Sequence, residues 1–295
     1  KKAIENGYMK KKLVSSQTVR QKNIETGEQK VIGVNCYTEG VKSPLMNSDD
    51  GGFMKVDQSA EKLQIQNVKE WKDKRNKSEV KKLLKKLSDT AKSGSNIMDV
   101  SIECAHKGIT TGEWGEVMRD VFGEYRAPTG ITASAILPTN KDKIKLKDIQ
   151  NQVNLITNKI GRRPKMLVGK PGLDGHSNGA EQIAVRARDA GLEVVYDGIR
   201  STPEQLVNTC IEESIHIVGL SILSGSHIFL VKQMISLMKK NKINDIPIVV
   251  GGIIPPLDEK KLIKLGVKAV FTPKNFQIEY IMNKIINIIS SVYVK

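Results

Sequence analysis

From Lys165 onward the apolar and polar positions fall into a repeating pattern. Apolar runs at Met166–Val168, Leu192–Tyr196, Ile215–Ile222, Ile246–Val250 and Val267–Phe271 are each followed by ten or more residues of helical periodicity. Runs this short read as strands buried on both faces, and their alternation with helices predicts a parallel sheet. Five strands and five helices within roughly 130 residues suit an α/β, Rossmann-like architecture: a five-stranded, flavodoxin-like sheet of order 2-1-3-4-5, flanked by helices.

Upstream the texture changes. Residues 1 to about 30 read as a helical segment ending at Gly27, with Ile4, Met9, Leu13, Val19 and Ile24 set among charges. A strand-like run, Val31–Val34, follows. Residues 40–60 are polar and glycine-rich (Ser48–Gly52) and read as a loop. From about 60 to 124 the pattern is helical again, with Trp71, Val80, Leu83, Leu84 and Leu87 on one face and a second run from Asn96 to Lys107. Thr111-Gly112-Glu113-Trp114 opens a further helix through Phe122. Residues 125–160 carry the breakers Pro128-Thr129-Gly130 and Pro138-Thr139-Asn140, then a Lys-rich polar helix. They read as a linker. The organisation expected is a leading segment (1–35), a mostly helical connector (36–124), a linker (125–160) and the α/β domain (161–295).

Composition narrows the function classes. The 39% apolar content supports a real core, and no run of about eighteen apolar residues offers a membrane span. The three cysteines, Cys36, Cys104 and Cys210, lie far apart, which argues against a zinc site or a disulfide framework and fits a reducing, cytoplasmic compartment. The net charge of +15 invites a nucleic-acid reading. The excess is mostly Lys scattered over helices that also carry Glu and Asp, with few arginines and little aromatic interleaving, so a solvated surface is the better account. An anionic ligand, such as a phosphate or a coenzyme A ester, stays compatible. The opening Lys1-Lys2-Ala3-Ile4-Glu5 reads like the middle of a helix, so the chain is expected to be a piece of a longer protein.

In a sheet of this order, ligands bind beyond the carboxyl ends of strands one and three. The unusual residues are there. After strand one comes Gly169-Lys170-Pro171-Gly172-Leu173-Asp174-Gly175-His176-Ser177-Asn178-Gly179, before a helix from about Ala180. A glycine-rich loop ahead of a helix suggests phosphate cradling. Yet it lacks the Gly-Lys-Ser/Thr of a P-loop, and its glycines miss the GxGxxG register. Its distinctive feature is Asp174-x-His176-x-x-Gly179. A carboxylate two residues before a histidine can bond one ring nitrogen and leave the other free as a ligand. One histidine cannot hold a bare ion, but a metal already held in a macrocycle needs only one axial protein ligand.

This loop resembles the DxHxxG signature of cobalamin-binding domains in B12-dependent mutases and methionine synthase. Ser221-Ile222-Leu223 resembles the SxL segment at the end of strand three, and Gly251-Gly252 the GG pair at the end of strand four. The resemblance is strongest to the adenosylcobalamin-dependent acyl-CoA mutases. It extends to Gly251–Pro256 and Leu220–His227, to Ala3–Tyr8 and Glu28–Asn35 as the exit from a catalytic TIM barrel, and to Ile102–Ala105 with Gly112-Glu113 as a helical connector. Phe122–Gly130 and Lys170–Gly179 look more like the ethylmalonyl-CoA than the methylmalonyl-CoA enzymes.

The resemblance implies that His176 is the axial ligand of cobalt, that Asp174 supports it, and that Ser221 bonds the buried base of the displaced nucleotide tail. Gly251 and Gly252 would let the backbone approach that tail, with Gly175, Ser177, Gly179, Leu223 and Thr272 bordering the site. It further implies radical carbon-skeleton isomerisation of an acyl-CoA, the substrate reached through a barrel domain, and a homo-oligomer when full length. No nucleic acid and no membrane partner are expected, no substrate-side catalytic residue is assignable, and the chain alone is expected to be inactive. The alternatives are a part of a methylmalonyl-CoA mutase and a corrinoid module for methyl transfer or sensing; the barrel-exit segment argues against the second.

Other polar residues have plainer readings. His216 beside strand three reads as structural, and His227 as a cap or slot lining. His106 has no assignment. Glu103 and Glu113 read as helix-surface carboxylates, and Lys170 as either a phosphate partner or an exposed side chain.

Overall fold

A computed structural model describes residues 1–39, 58–123, 140–275 and 277–294. The Ser48–Gly52 loop, most of the Phe122–Gly130 stretch and the first part of the expected linker lie outside these residues. The chain forms two compact units, one of Lys1–Gly40 with Ala127–Lys295 and one of Val41–Arg126.

In chain order the larger unit opens with α1 (Lys2–Glu5) and α2 (Tyr8–Glu25). Gly7, at φ 71°, takes the left-handed turn that separates them. The smaller unit holds α3 (Gln58–Lys74), α4 (Lys77–Lys92), α5 (Met98–His106) and α6 (Thr111–Phe122). Its core joins Leu87, Val100 and Cys104 to Trp114, Val117 and Met118. Thr110 and Glu113 form a reciprocal cap at the start of α6, satisfying two amide donors that a helix terminus leaves open.

The chain then returns to the larger unit with α7 (Asn140–Ile160), β1 (Lys165–Gly169), α8 (Asn178–Asp189), β2 (Glu193–Tyr196), α9 (Pro203–Glu212) and β3 (Ile217–Ser221). It ends with α10 (His227–Lys240), β4 (Ile248–Gly251), α11 (Pro256–Lys264), β5 (Ala269–Phe271) and α12 (Ile278–Tyr293). The five strands are parallel in the order β2-β1-β3-β4-β5, as the pattern predicts.

Alternation along each strand divides the core into two layers. Met166, Val168, Ile217, Val249 and Phe271 face α7, α8 and α12. Leu167, Val218, Leu220 and Val250 face the side of α9, α10 and α11. On α12, Ile281, Ile285, Ile288 and Ile289 are buried; each such side chain contributes about 1.5–3 kcal/mol of apolar transfer.

Two expectations change here. Residues 140–160, read as the Lys-rich helix of a linker, pack as part of the larger unit: α7 lies on α12, burying Ile149, Val153 and Ile156 at one helical stripe while Lys147 and Lys159 stay outward. Val31–Val34 is not a strand. The side chain of Asn35 accepts from the Val31 amide (2.7 Å) and donates to the carbonyls of Ile24 and Gln29 (both 2.8 Å), folding the run into a turn closed by an Ile32–Cys36 bridge.

Candidate functional site

Ser221, Gly251 and Phe271 lie in register across β3, β4 and β5, at the carboxyl edge of the sheet. On the α8/α12 side this edge opens into a cleft of about 430 Å³. Gly179, Ser221, Leu223, Gly251, Gly252 and Thr272, all expected site residues, line it.

The two paired glycines do different work. A Cβ on Gly251 would meet nothing closer than 3.9 Å, so its missing side chain is open room in the cleft. A Cβ on Gly252, at φ 151°, would sit 1.9 Å from the Ile222 carbonyl oxygen. Gly252 is therefore dictated by the close approach of two backbones, and its amide donates to the Phe271 carbonyl at 3.0 Å.

Above the cleft the β1 loop builds a polar chain around a buried cation. Lys170 has no exposed surface. Its Nζ donates to Asp174 Oδ2 (2.9 Å) and to the carbonyl and hydroxyl oxygens of Ser221 (3.1 and 3.3 Å). The same Asp174 oxygen accepts from the Leu223 amide at 3.0 Å, and Oδ1 accepts from the His176 amide at 3.0 Å. Burial alone would raise the pKa of Asp174. The His176 amide, Lys170, the His176 ring and the Leu223 amide outweigh it and hold the carboxyl well below its ordinary 3.8.

Oδ1 also lies 2.7 Å from His176 Nδ1. An ionised Asp174 can only accept, so Nδ1 carries a proton toward it while Nε2 faces away from the pair. The His176 side chain is 79% exposed, outside the lining of the cleft. The arrangement presents an oriented imidazole as a ligand at the cleft's edge. Gly175 is exposed, and Ser177 precedes α8 without making a capping bond.

Several polar residues depart from, or settle, their sequence reading. Lys170 is neither exposed nor free for a phosphate, because Asp174 and Ser221 consume its donors. Glu113 is no simple surface carboxylate: it holds a two-pronged ion pair with Arg75 in the smaller unit, and Arg75 with the Thr110 cap keeps its pKa well below the usual range. Glu103 stays exposed, paired with Lys86 at 2.8 Å. His216 is buried, accepts from the Lys165 amide at 3.0 Å and meets Tyr293 edge-on. Burial, then Arg162 and Lys165, pushes its pKa down. His227 is buried on Asp258, 3.0 Å from Nε2, while its Nδ1 has no hydrogen-bond partner among the described residues.

Sequence reasoning missed Gly219, Gln182 and Arg20, all of which line the cleft. Gly219 could have been found by strand alternation, which sets it between Ile217 and Ser221. Nothing local marks the other two.

Residues 1–124 match the family model of methylmalonyl-CoA mutase, and residues 164–275 that of the B12 binding domain. Ethylmalonyl-CoA mutase of Methylorubrum extorquens is 45% identical over 280 residues, which is 95% of this chain and 40% of that protein. The ethylmalonyl-CoA mutase of Cereibacter sphaeroides is 45% identical over 282 residues, 96% of this chain and 42% of its own length. Methylmalonyl-CoA mutase of Rhizobium meliloti is 31% identical over 274 residues, 92% and 38% respectively. The chain thus spans about two fifths of the length of the curated relatives it matches.

Proposed function

Since the chain belongs to the cobalamin-dependent acyl-CoA mutase family, we propose that it is the carboxy-terminal, cofactor-holding part of such a mutase, converting ethylmalonyl-CoA to methylsuccinyl-CoA. The observation that carries this is the Lys170–Asp174–His176 chain, which ends in an exposed imidazole, held by Asp174 at Nδ1, beside a cleft. The residues fit adenosylcobalamin. Nε2 of His176 would ligate the cobalt, and the cleft under Ser221 and Gly251 would take the nucleotide tail, with Gly175, Ser177, Gly179, Leu223 and Thr272 around it. When bound, the cofactor supplies the cobalt–carbon bond whose homolysis starts the radical rearrangement.

The chain's own residues position and protect. Lys170 neutralises Asp174 in a site closed to water, Asp174 fixes the ring's tautomer and angle, and the apolar cleft wall keeps solvent from the tail. Residues 1–35 read as the barrel exit, 36–124 as the connector and 161–295 as the cofactor domain. The acyl-CoA pocket would belong to a barrel such as the longer relatives carry, and the assembled enzyme would be a cytoplasmic homo-oligomer. Identity favours the ethylmalonyl reading over the methylmalonyl one, at 45% against 31%. The match of residues 1–124 to a mutase favours both over a stand-alone corrinoid carrier.

Cob(II)alamin titrated into the chain should give an EPR spectrum with nitrogen superhyperfine splitting. That splitting should change on ¹⁵N-histidine labelling, and this sensitivity to the label should vanish in His176→Ala. Wild-type splitting that ¹⁵N-histidine labelling leaves unchanged, or label-sensitive splitting that persists in His176→Ala, overturns the ligand assignment.

A further inference from the structure

The cleft takes one wall from α2, far outside the segment that matches the B12 binding domain. Helix spacing explains which residues it offers: Gln17, Arg20 and Ile24 follow one another at three- and four-residue steps, so they share a face, and all line the cleft. A neighbouring stripe fastens the helix. Val14 and Thr18 are buried against α8, where Gln182 Nε2 donates to the Val14 carbonyl (3.2 Å) and to Thr18 Oγ1 (3.1 Å). At the far end Glu25 Oε1 accepts from the Ile278 amide at the start of α12 (3.2 Å). α2 is thus tied to both helices that flank the cleft.

Arg20 is the one charged residue among the described lining residues, and the remaining wall is mostly apolar. Its guanidinium has no ion pair or hydrogen bond among the described residues. A lone cation on an apolar cleft suits a ligand that carries one anionic group next to an apolar body. A fork of N–H donors suits the oxygens of a phosphate in particular. Cobalamin's tail has that composition: a single phosphodiester joins the corrin side to an apolar benzimidazole. Resting on the cobalamin reading above, we infer that Arg20 receives the phosphodiester of the tail, so that α2 contributes a binding residue to the cofactor site.

The test compares cobalamin with cobinamide, a corrinoid that lacks the phosphodiester, ribose and base. Binding is followed by absorbance for wild type, Arg20→Gln and Arg20→Lys at low and moderate ionic strength. A charge-assisted contact from an exposed side chain predicts a loss of about tenfold in cobalamin affinity for Arg20→Gln. Arg20→Lys should retain part of the affinity, and the deficit should shrink with salt. Cobinamide should bind all three alike. Equal losses for both corrinoids, or no loss for either, overturn the assignment. Nitrogen splitting that responds to ¹⁵N-histidine labelling in wild-type cob(II)alamin separates the two levels. If it is present while Arg20→Gln binds cobalamin normally, only the Arg20 assignment falls; if it is absent, the cobalamin reading falls and takes this one with it.

Discussion

Two histidine–carboxylate pairs sit at the same edge of one sheet and end up with opposite properties. His176 meets Asp174 through Nδ1 and leaves Nε2 in the open, with the side chain 79% exposed. His227 meets Asp258 through Nε2 and buries Nδ1 with no partner among the described residues, its side chain 2% exposed. The pairing itself is therefore no mark of a ligand. What separates them is where the second nitrogen goes. Asp174 lies two residues from its histidine on one loop and can turn the ring outward. Asp258 belongs to α11 and reaches across to α10, so its pair is a tie between two helices. Their carboxylates differ as well. Asp174 is buried over a buried lysine, whereas Asp258 keeps some solvent and a second partner, Lys261, at 2.7 Å.

The sharpest way to break this comparison is to remove the buried cation. Lys170→Met leaves Asp174 charged and under-compensated, which should cost about 3–5 kcal/mol in urea-unfolding stability. It should also weaken nitrogen splitting from His176. A loss below about 1 kcal/mol would mean that Asp174 is far better hydrated than its burial implies.

The second pair should respond more mildly. His227→Leu removes one hydrogen bond to a carboxylate that Lys261 still serves, for a predicted cost of about 1–2 kcal/mol. Cob(II)alamin spectra should stay unchanged. An altered spectrum would mean that the α10–α11 tie shapes the ligand site after all.

The smallest effect concerns the third buried or paired imidazole, His216, which uses Nδ1 as a backbone acceptor and so must stay neutral. Its folded pKa lies below the ordinary 6.5, so the unfolded chain binds a proton first as the solution is acidified. Stability should be flat above about pH 7 and fall by at most about 1 kcal/mol per pH unit just below 6.5. Chemical denaturation across that range, with and without His216→Gln, measures it. Stability that rises on acidification would contradict the buried, neutral assignment.

The strands and the ligand loop were legible in the sequence because both depend on local order. Period-two apolar runs mark buried strands, and Asp174 reaches His176 within the loop. Lys170 was not legible, since its burial depends on Ser221, 51 residues away, closing over it. The packing of α7 was not legible because, among its described side chains, Ile149, Val153 and Ile156 alone are buried, and three positions are easily lost in a Lys-rich stretch. Val31–Val34 was misread because a β-branched run looks like a strand whether or not another strand is there to pair with it. Arg20 was invisible for the same reason as Lys170, with a larger separation: the Thr18–Gln182 contact that seats its helix joins residues 164 apart.

That contact bears on how such a gene can be rearranged. A recombination event that carried off only the stretch from residue 161 onward would transfer every strand and every residue of the imidazole loop. It would leave behind the helix that Gln182 is built to hold, exposing a polar pair and an apolar flank that evolved under cover. The inheritable unit is therefore larger than the strand pattern outlines, and it is discontinuous in the chain. A functional transplant has to move α2 along with the sheet.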